Sequence, residues 1–363
     1  MSAGAQARQP SPAVPPPAGA DASDSDDWAA PGAYQVGDGI WRLPLPLPND
    51  GLRAVNVYVI EADHGLVAVD GGWAVTEARR ALENALRAIG YTVRDIRRFL
   101  VTHLHRDHYS QAVAIRRELG TRVGLGVEER HSLQAVHAEG YRAGQAQLDQ
   151  LAAAGAQPVV IRLVELGYGS PSDPDVQALV EPDEWLAAGQ VVDVAAGRRL
   201  VAVHTPGHTR GHLVFVERDA GVLFAGDHVL PHITPSIGFE PAPPHLPLRD
   251  YLDSLRRVRA MPDLRLLPAH GPPAPSVHRR VDELLAHHDQ RLQACLDAVA
   301  PTGSTGYEVA RRLPWTRRNR TFDTLDAFNQ MLAVCEAVAH LDLLVHQGRL
   351  TRDEHNGRHV YHR

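Results

Sequence analysis

At 363 residues, with 44% hydrophobic and 22% charged side chains, the chain has the composition of a soluble globular protein and room for a large core plus a small accessory module. Its formal net charge of −6 supplies no overall attraction to nucleic acid or to anionic membranes. All 37 basic residues are arginine, which excludes a lysine Schiff base and a P-loop lysine, and two cysteines are too few for a Cys-based zinc site or a disulfide framework.

Residues 1–32 are rich in Pro, Ala, Ser and Asp and are expected to be a disordered tail. They lack a basic region followed by an apolar core, so no secretory signal is read there, and a cytoplasmic protein is expected. No uninterrupted apolar run approaches the roughly eighteen residues of a membrane span. The stretches "AVNVYVI" and "GLVAVDGG" read as β-strands, rich in Val and bounded by turn residues. "TEARRALENALRAIG" has helical spacing with Gly90 as its stop. "IRRFLVT" is a strand that runs into "HLHRDHYS", and "SQAVAIRRELG" after it is a helix, so the intervening histidines sit on a strand-to-helix loop. Residues 124–187 are more helical and are read as a surface insertion, either shaping a pocket or simply padding. Strands resume with "QVVDVA", "RRLVAVHT", "HLVFVE", "GVLFAGD" and "LRLLPAH", with the helix "LRDYLDSLRRVRAM" between the last two. After Pro273 come a long helix, a short one and another long one, with Cys295 and Cys335 packing on them as small apolar groups. The end, "RLTRDEHNGRHVYHR", is two alternating segments around Asn356-Gly357, a strong hairpin signal, and helices followed by such a hairpin look like a winged-helix module.

The chemistry lies at the strand ends. "THLHRDHYS" carries His103, His105, Asp107 and His108; "HTPGHTRGH" delivers His208, "GVLFAGDH" delivers Asp227, and "LRLLPAHG" delivers His270. Imidazole and carboxylate ligands suit Zn²⁺, with Fe²⁺ or Mn²⁺ also matched by the same donors. Seven ligands exceed the needs of one tetrahedral ion, whereas two ions sharing a carboxylate would use them all. In an extended segment residues two apart point the same way, which explains the spacing of His103 and His105, and Gly207 is expected to permit close backbone approach beside His208.

The order HxHxDH, His in a TPGHT loop, Asp in GD and His in a final AHG resembles the metallo-β-lactamase superfamily, over roughly residues 40–290 and including the early strand that ends in Asp70-Gly71-Gly72. The resemblance implies an αββα sandwich of two sheets faced by helices, here residues 33–290, followed by a winged-helix-like domain over residues 291–363, the layout of the β-lactamase-like protein 2 group. It implies that His103, His105 and His208 bind one Zn²⁺, that Asp107, His108 and His270 bind a second, and that Asp227 bridges them. Asp70 would be a buried group orienting the site, and Asp107 would also orient the attacking hydroxide.

Where relatives commonly carry a Gly-Gly pair after HxHxDH, this chain has Tyr109-Ser110-Gln111, so Tyr109 is expected to contact substrate, as is His232 in the proline-rich loop after Asp227. His204, His212 and His228 are expected to be structural neighbours of the ligands. The expected activity is cleavage of an ester, thioester or lactone of a small molecule by a metal-bridging hydroxide. The rival is a phosphodiesterase in which the winged helix presents RNA or DNA. Residues 301–363 hold nine Arg against seven acidic side chains, a weak footprint for nucleic acid, so packing or homodimerisation is the favoured role of the tail.

Overall fold

The computed structural model describes residues 27–48, 51–170, 179–316 and 319–363. Residues 1–26 of the expected tail lie outside the described residues. Ahead of position 33 the chain forms a 3-10 turn at Asp27–Ala29, where the Trp28 carbonyl accepts a 2.6 Å hydrogen bond from Arg42.

The first sheet has seven strands in sequence order: β1 Tyr34–Gly37, β2 Ile40–Pro46, β3 Ala54–Ala62, β4 Gly65–Val69, β5 Ile96–Val101, β6 Arg122–Gly126 and β7 Glu184–Leu186. β1 to β4 form an antiparallel meander; β4 to β7 pair in parallel. The parallel half needs crossovers, supplied by α1 Thr76–Ala88, α2 Arg106–Leu119, and then α3 Arg130–Val136, α4 Gln145–Ala153 and α5 Gln157–Glu165. α1 forms because Ala78, Leu82, Ala85 and Leu86 recur at helical spacing and are buried together; it ends where Gly90 takes a left-handed φ of 84°.

The second sheet has the order β12-β11-β10-β9-β8, from β8 Val191–Ala195, β9 Arg198–His204, β10 Leu213–Glu217, β11 Val222–Gly226 and β12 Arg265–Pro268, with α6 Pro247–Arg259 crossing between the last two. Every residue of β10 and β11 is buried, because both faces of this sheet are covered. Alternation divides them. Phe215 and Phe224 face the first sheet's Tyr58, Ile60 and Leu100, while Val214, Val216 and Ala225 pack with α6, α7 and α9 on the outer face. The first sheet's outer face is covered by α1 and α2 through Leu82, Leu86, Tyr109 and Val113. The expected αββα sandwich is therefore the fold.

The chain ends with α7 Val277–Ala298, β13 Ser304–Thr305, α8 Gly306–Arg312, α9 Ala327–His346, β14 Thr351–His355 and β15 Arg358–His362, the last strands forming a small sheet of order β13-β15-β14. The β14–β15 turn has both Asn356 (φ 53°) and Gly357 (φ 72°) left-handed, as a two-residue hairpin with right-handed strand twist requires. α7 runs unbroken through position 290, where a domain boundary is expected. Its Val281 and Leu284 share one apolar cluster with α9 and with the outer face of the second sheet, so the C-terminal helices are part of the sandwich's outer layer. α9, alone among the described helices, has the length and apolarity of a membrane span, and most of it is buried among these neighbours.

Candidate metal centre

The expected ligands converge at one end of the sandwich, where strand ends of both sheets meet. β5 ends at Val101, and after His105, which is itself still extended (φ −60°, ψ 149°), the chain enters α2 with Asp107 and His108 in the first turn. His208 follows β9, Asp227 follows β11, and His270 follows β12. Two glycines make the convergence possible. Gly207 has φ +135°, and a Cβ there would stand 2.4 Å from Tyr251 Cα. At Gly71 a Cβ would stand 2.6 Å from the Ala112 nitrogen, so the turn after Asp70 can press against α2 only without a side chain.

Each ligand imidazole has one nitrogen fixed by a hydrogen bond. His105 Nε2 lies 2.6 Å from the Phe239 carbonyl, His208 Nδ1 2.7 Å from the Ser236 carbonyl, and His270 Nδ1 2.8 Å from the Ala54 carbonyl. A carbonyl only accepts, so these nitrogens carry the hydrogen. Thr102 Oγ1 donates to the Asp70 carboxylate (2.9 Å) and therefore accepts from His103 Nδ1 (3.0 Å); His108 Nδ1 donates to the other Asp70 oxygen at 2.9 Å. The network thus leaves five further nitrogens, all pointing inward. His103 Nε2, His105 Nδ1 and His208 Nε2 are 3.0–3.2 Å apart, lone pair facing lone pair. Neutral lone pairs at that distance repel unless a cation lies among them. Nitrogens bound to tetrahedral Zn²⁺ at about 2.05 Å would stand about 3.3 Å apart, so the donor set fits that ion.

The second group behaves likewise. His270 Nε2 is 3.4 Å from Asp107 Oδ2, and His108 Nε2 is 3.6 Å from it. Asp227 lies between the groups: Oδ2 is 3.3 Å from His208 Nε2, and Oδ1 is 3.4 Å from His270 Nε2 and 3.6 Å from His108 Nε2. His108 Nε2, His270 Nε2 and Asp227 Oδ1 are buried without a hydrogen-bond partner, a costly arrangement for polar atoms that a bound ion would resolve.

Electrostatics follow this geometry. Burial, reinforced by neighbouring imidazoles, holds His103 far below the usual histidine range and His105 at about 4, so both are neutral. Burial also acts on His108, but the Asp107, Asp70 and Asp227 carboxylates outweigh it and raise it to about 10. Burial opposes the charge on Asp107 and Asp227, yet the facing His108 and His270 keep both carboxyls below their usual range. This carboxylate-rich side is where a dication is best compensated.

Around the ligands, His212 accepts the Asp227 backbone N–H at 3.1 Å, His204 bonds the Arg210 carbonyl at 2.8 Å, and His228 is buried with its ring beside Tyr251. Tyr109 does not meet the expectation of a substrate contact. It is wholly buried under the first sheet and donates its hydroxyl to the Val180 carbonyl at 2.7 Å. Ser110 accepts from the Ala74 N–H at 2.8 Å and Gln111 donates to the Gly71 carbonyl at 2.8 Å, so this departure from Gly-Gly ties α2 to the turn after Asp70. His232 lines a cavity beside the site. The carbonyls of Ala54, Ser236 and Phe239, and the side chains of Glu129 and Glu240, carry no signal in the sequence. Those two buried acids brace the His208 loop, through Thr209 (2.6 Å) and the Arg210 N–H (2.7 Å).

Layered sheets with inward-facing imidazoles and carboxylates at their ends define a metal-dependent hydrolase. The family model for the metallo-beta-lactamase superfamily matches residues 50–270, and the chain belongs to that superfamily. It is 24% identical over 317 residues to the probable metallo-hydrolase YqjP of Bacillus subtilis (strain 168), covering 85% of this chain and 92% of that one. A shorter match, 33% over 121 residues, is to the atrochrysone carboxyl ACP thioesterase AacuM of Aspergillus aculeatus, where it covers 32% of this chain and 36% of the relative. Among solved structures, a beta-lactamase domain protein from Burkholderia ambifaria superposes with a TM-score of 0.75 at 29% identity, over 93% of this chain and 96% of that one.

Proposed function

We propose that the chain is a dinuclear metallo-hydrolase that cleaves a small-molecule thioester, ester or lactone, with thioesters first. The observation that carries the two-ion reading is the placement of Asp227, each of whose oxygens faces a different ligand group. His103, His105 and His208 would hold one ion, Asp107, His108 and His270 the other, with Asp227 shared. Zn²⁺ suits the donors, as would Fe²⁺ or Mn²⁺. Two such dications, when bound, would lower the pKa of water toward neutrality and polarise a carbonyl. The protein's part is orientation. Asp70, through Thr102 and His108, fixes the tautomers on both sides. Asp107, with its carboxylate 17% exposed, reaches the open side and orients the attacking water. The thioester preference draws support from the fungal ACP thioesterase, which this chain matches over about a third of its length.

The order strand, helix, helix, hairpin within residues 291–363 supports reading the C-terminus as a winged-helix-like module. Two observations favour packing over nucleic-acid contact there: Arg311 pairs with Asp323, and Arg312 bonds the Ala298 carbonyl and Ser304. A panel of thioesters, lactones, phosphodiesters and a β-lactam, run with metal-loaded and chelated protein, tests the reading. Metal-dependent thioester hydrolysis is expected; turnover of phosphodiesters alone would overturn it.

A further inference from the structure

The irregular segment 229–246 faces two ways. On one side its Ser236 and Phe239 carbonyls hold His208 and His105. On the other, His232, Ile233, Pro235, Ile237 and Phe239 line a cavity of about 570 Å³, in the size range of small-molecule sites. The cavity begins beside both ligand groups. The Phe239 ring centroid is 6.0 Å from that of His105, and Gly271, the neighbour of His270, presses so closely on Pro231 and His232 that a Cβ would lie 2.6 Å and 3.7 Å from them.

The opposite wall comes from α7, α9 and Trp315. Arg280 at the loop end is committed, donating to the Leu230 (2.6 Å) and Ile233 (3.0 Å) carbonyls and to Glu283 (2.8 Å). Arg291, eleven residues on and so about 16 Å farther along the helix, is different. Its guanidinium lies 4.1 Å over the Trp315 ring and one N–H donates to the Pro314 carbonyl at 2.9 Å, and among the described residues no carboxylate pairs with it. A half-buried arginine without a counter-ion, held flat on an indole, is suited to a phosphate.

We propose that this cavity, whose lining is mixed and includes Glu336, binds the leaving arm of a thioester: an elongated thiol of the phosphopantetheine kind, lying against Ile233, Ile237, Phe239 and Leu284 with its phosphate end at Arg291. The proposal rests on the thioester reading of the metal centre. Two measurements test it. Hydrolysis is compared for one acyl group carried on coenzyme A, on a thiol ending in a carboxylate, and on neutral N-acetylcysteamine. Binding of coenzyme A itself to chelated protein is followed by calorimetry, which needs no active metal centre. The coenzyme A thioester is expected to have at least tenfold higher kcat/KM than the neutral one. Arg291→Met should raise its KM about tenfold at little change in kcat and weaken coenzyme A binding in parallel, with Arg291→Lys recovering part of both. Metal content and melting temperature verify that the variants are folded. Equal turnover of all three arms, or coenzyme A binding untouched in Arg291→Met, would overturn the cavity assignment; preference for the carboxylate arm would overturn the phosphate. Absence of thioester turnover with Arg291-dependent coenzyme A binding would instead sink the thioester reading and keep the cavity as a binding site.

Discussion

Asp70→Asn isolates the orienting network from the ligands themselves. Asp70 is 2% exposed and accepts from the Thr102 N–H (2.8 Å), the Thr102 hydroxyl (2.9 Å) and His108 Nδ1 (2.9 Å). Its φ of +63° is left-handed, a conformation that Asn tolerates and Ala does not. Alanine would strand three buried donors at about 1–3 kcal/mol each, enough to confuse site loss with unfolding. Asparagine keeps one oxygen for Thr102 but turns an NH2 toward the His108 N–H. One charge-assisted bond is replaced by two opposed donors, a loss of about 1.5–3 kcal/mol. That corresponds to about ten- to hundredfold weaker metal binding, felt first on the Asp107, His108 and His270 side. Chelator competition measures the affinity of each ion, and a melting curve in excess Zn²⁺ verifies the fold. Two ions bound to Asp70→Asn with wild-type affinity would refute the tautomer argument.

Arg280→Met removes the donors that pin the Leu230 and Ile233 carbonyls, so the segment carrying Ser236 and Phe239 loosens; metal retained after dialysis should fall on the His103, His105 and His208 side, and wild-type retention would count against the coupling. Gly207→Ala should lower stability by at least about 2 kcal/mol in a denaturant melt, since φ +135° is strained for alanine and its methyl would meet Tyr251 backbone; an unchanged melt would mean the loop can shift. Burial raises Glu240 to about 7, against the pull of Ser132 and Arg210, so the folded state holds its proton more tightly than the unfolded chain. The unfolded carboxyl ionises first as pH rises, and stability conferred by this group is lost between about pH 4.5 and 7. Glu240→Gln should flatten that slope in denaturation curves of the chelated protein at pH 5 and 7.5; an unaltered slope would remove Glu240 as its source. Chelation should lower the melting temperature of the wild-type protein and added Zn²⁺ restore it, because ions that bind only the folded state stabilise it by mass action.

The sandwich and the gathering of His and Asp side chains at its end were legible because both rest on side chains with a period. Val-rich runs ending in His or Asp mark strand ends in any register, and Asn356-Gly357 admits little but a tight hairpin. What held those ligands in place was not legible. The groups fixing His105, His208 and His270 are backbone carbonyls, which leave no trace in residue identity. Tyr109 read as a specificity position because it replaces glycine in a motif, yet the helical turn carries it into the core. The boundary at residue 290 came from the extent of the family resemblance, but α7 has buried residues on both sides of that point, Leu284 and Leu292 among them, which no local pattern separates.

The most direct test of the central claim is metal stoichiometry, by elemental analysis of wild-type and Asp227→Ala protein, with thioester hydrolysis assayed on the same samples. Two ions are expected per wild-type chain, and one or none with activity lost when the carboxylate facing both ligand groups is removed. A single ion at saturation in the wild type, or two ions and full activity in Asp227→Ala, would contradict that claim.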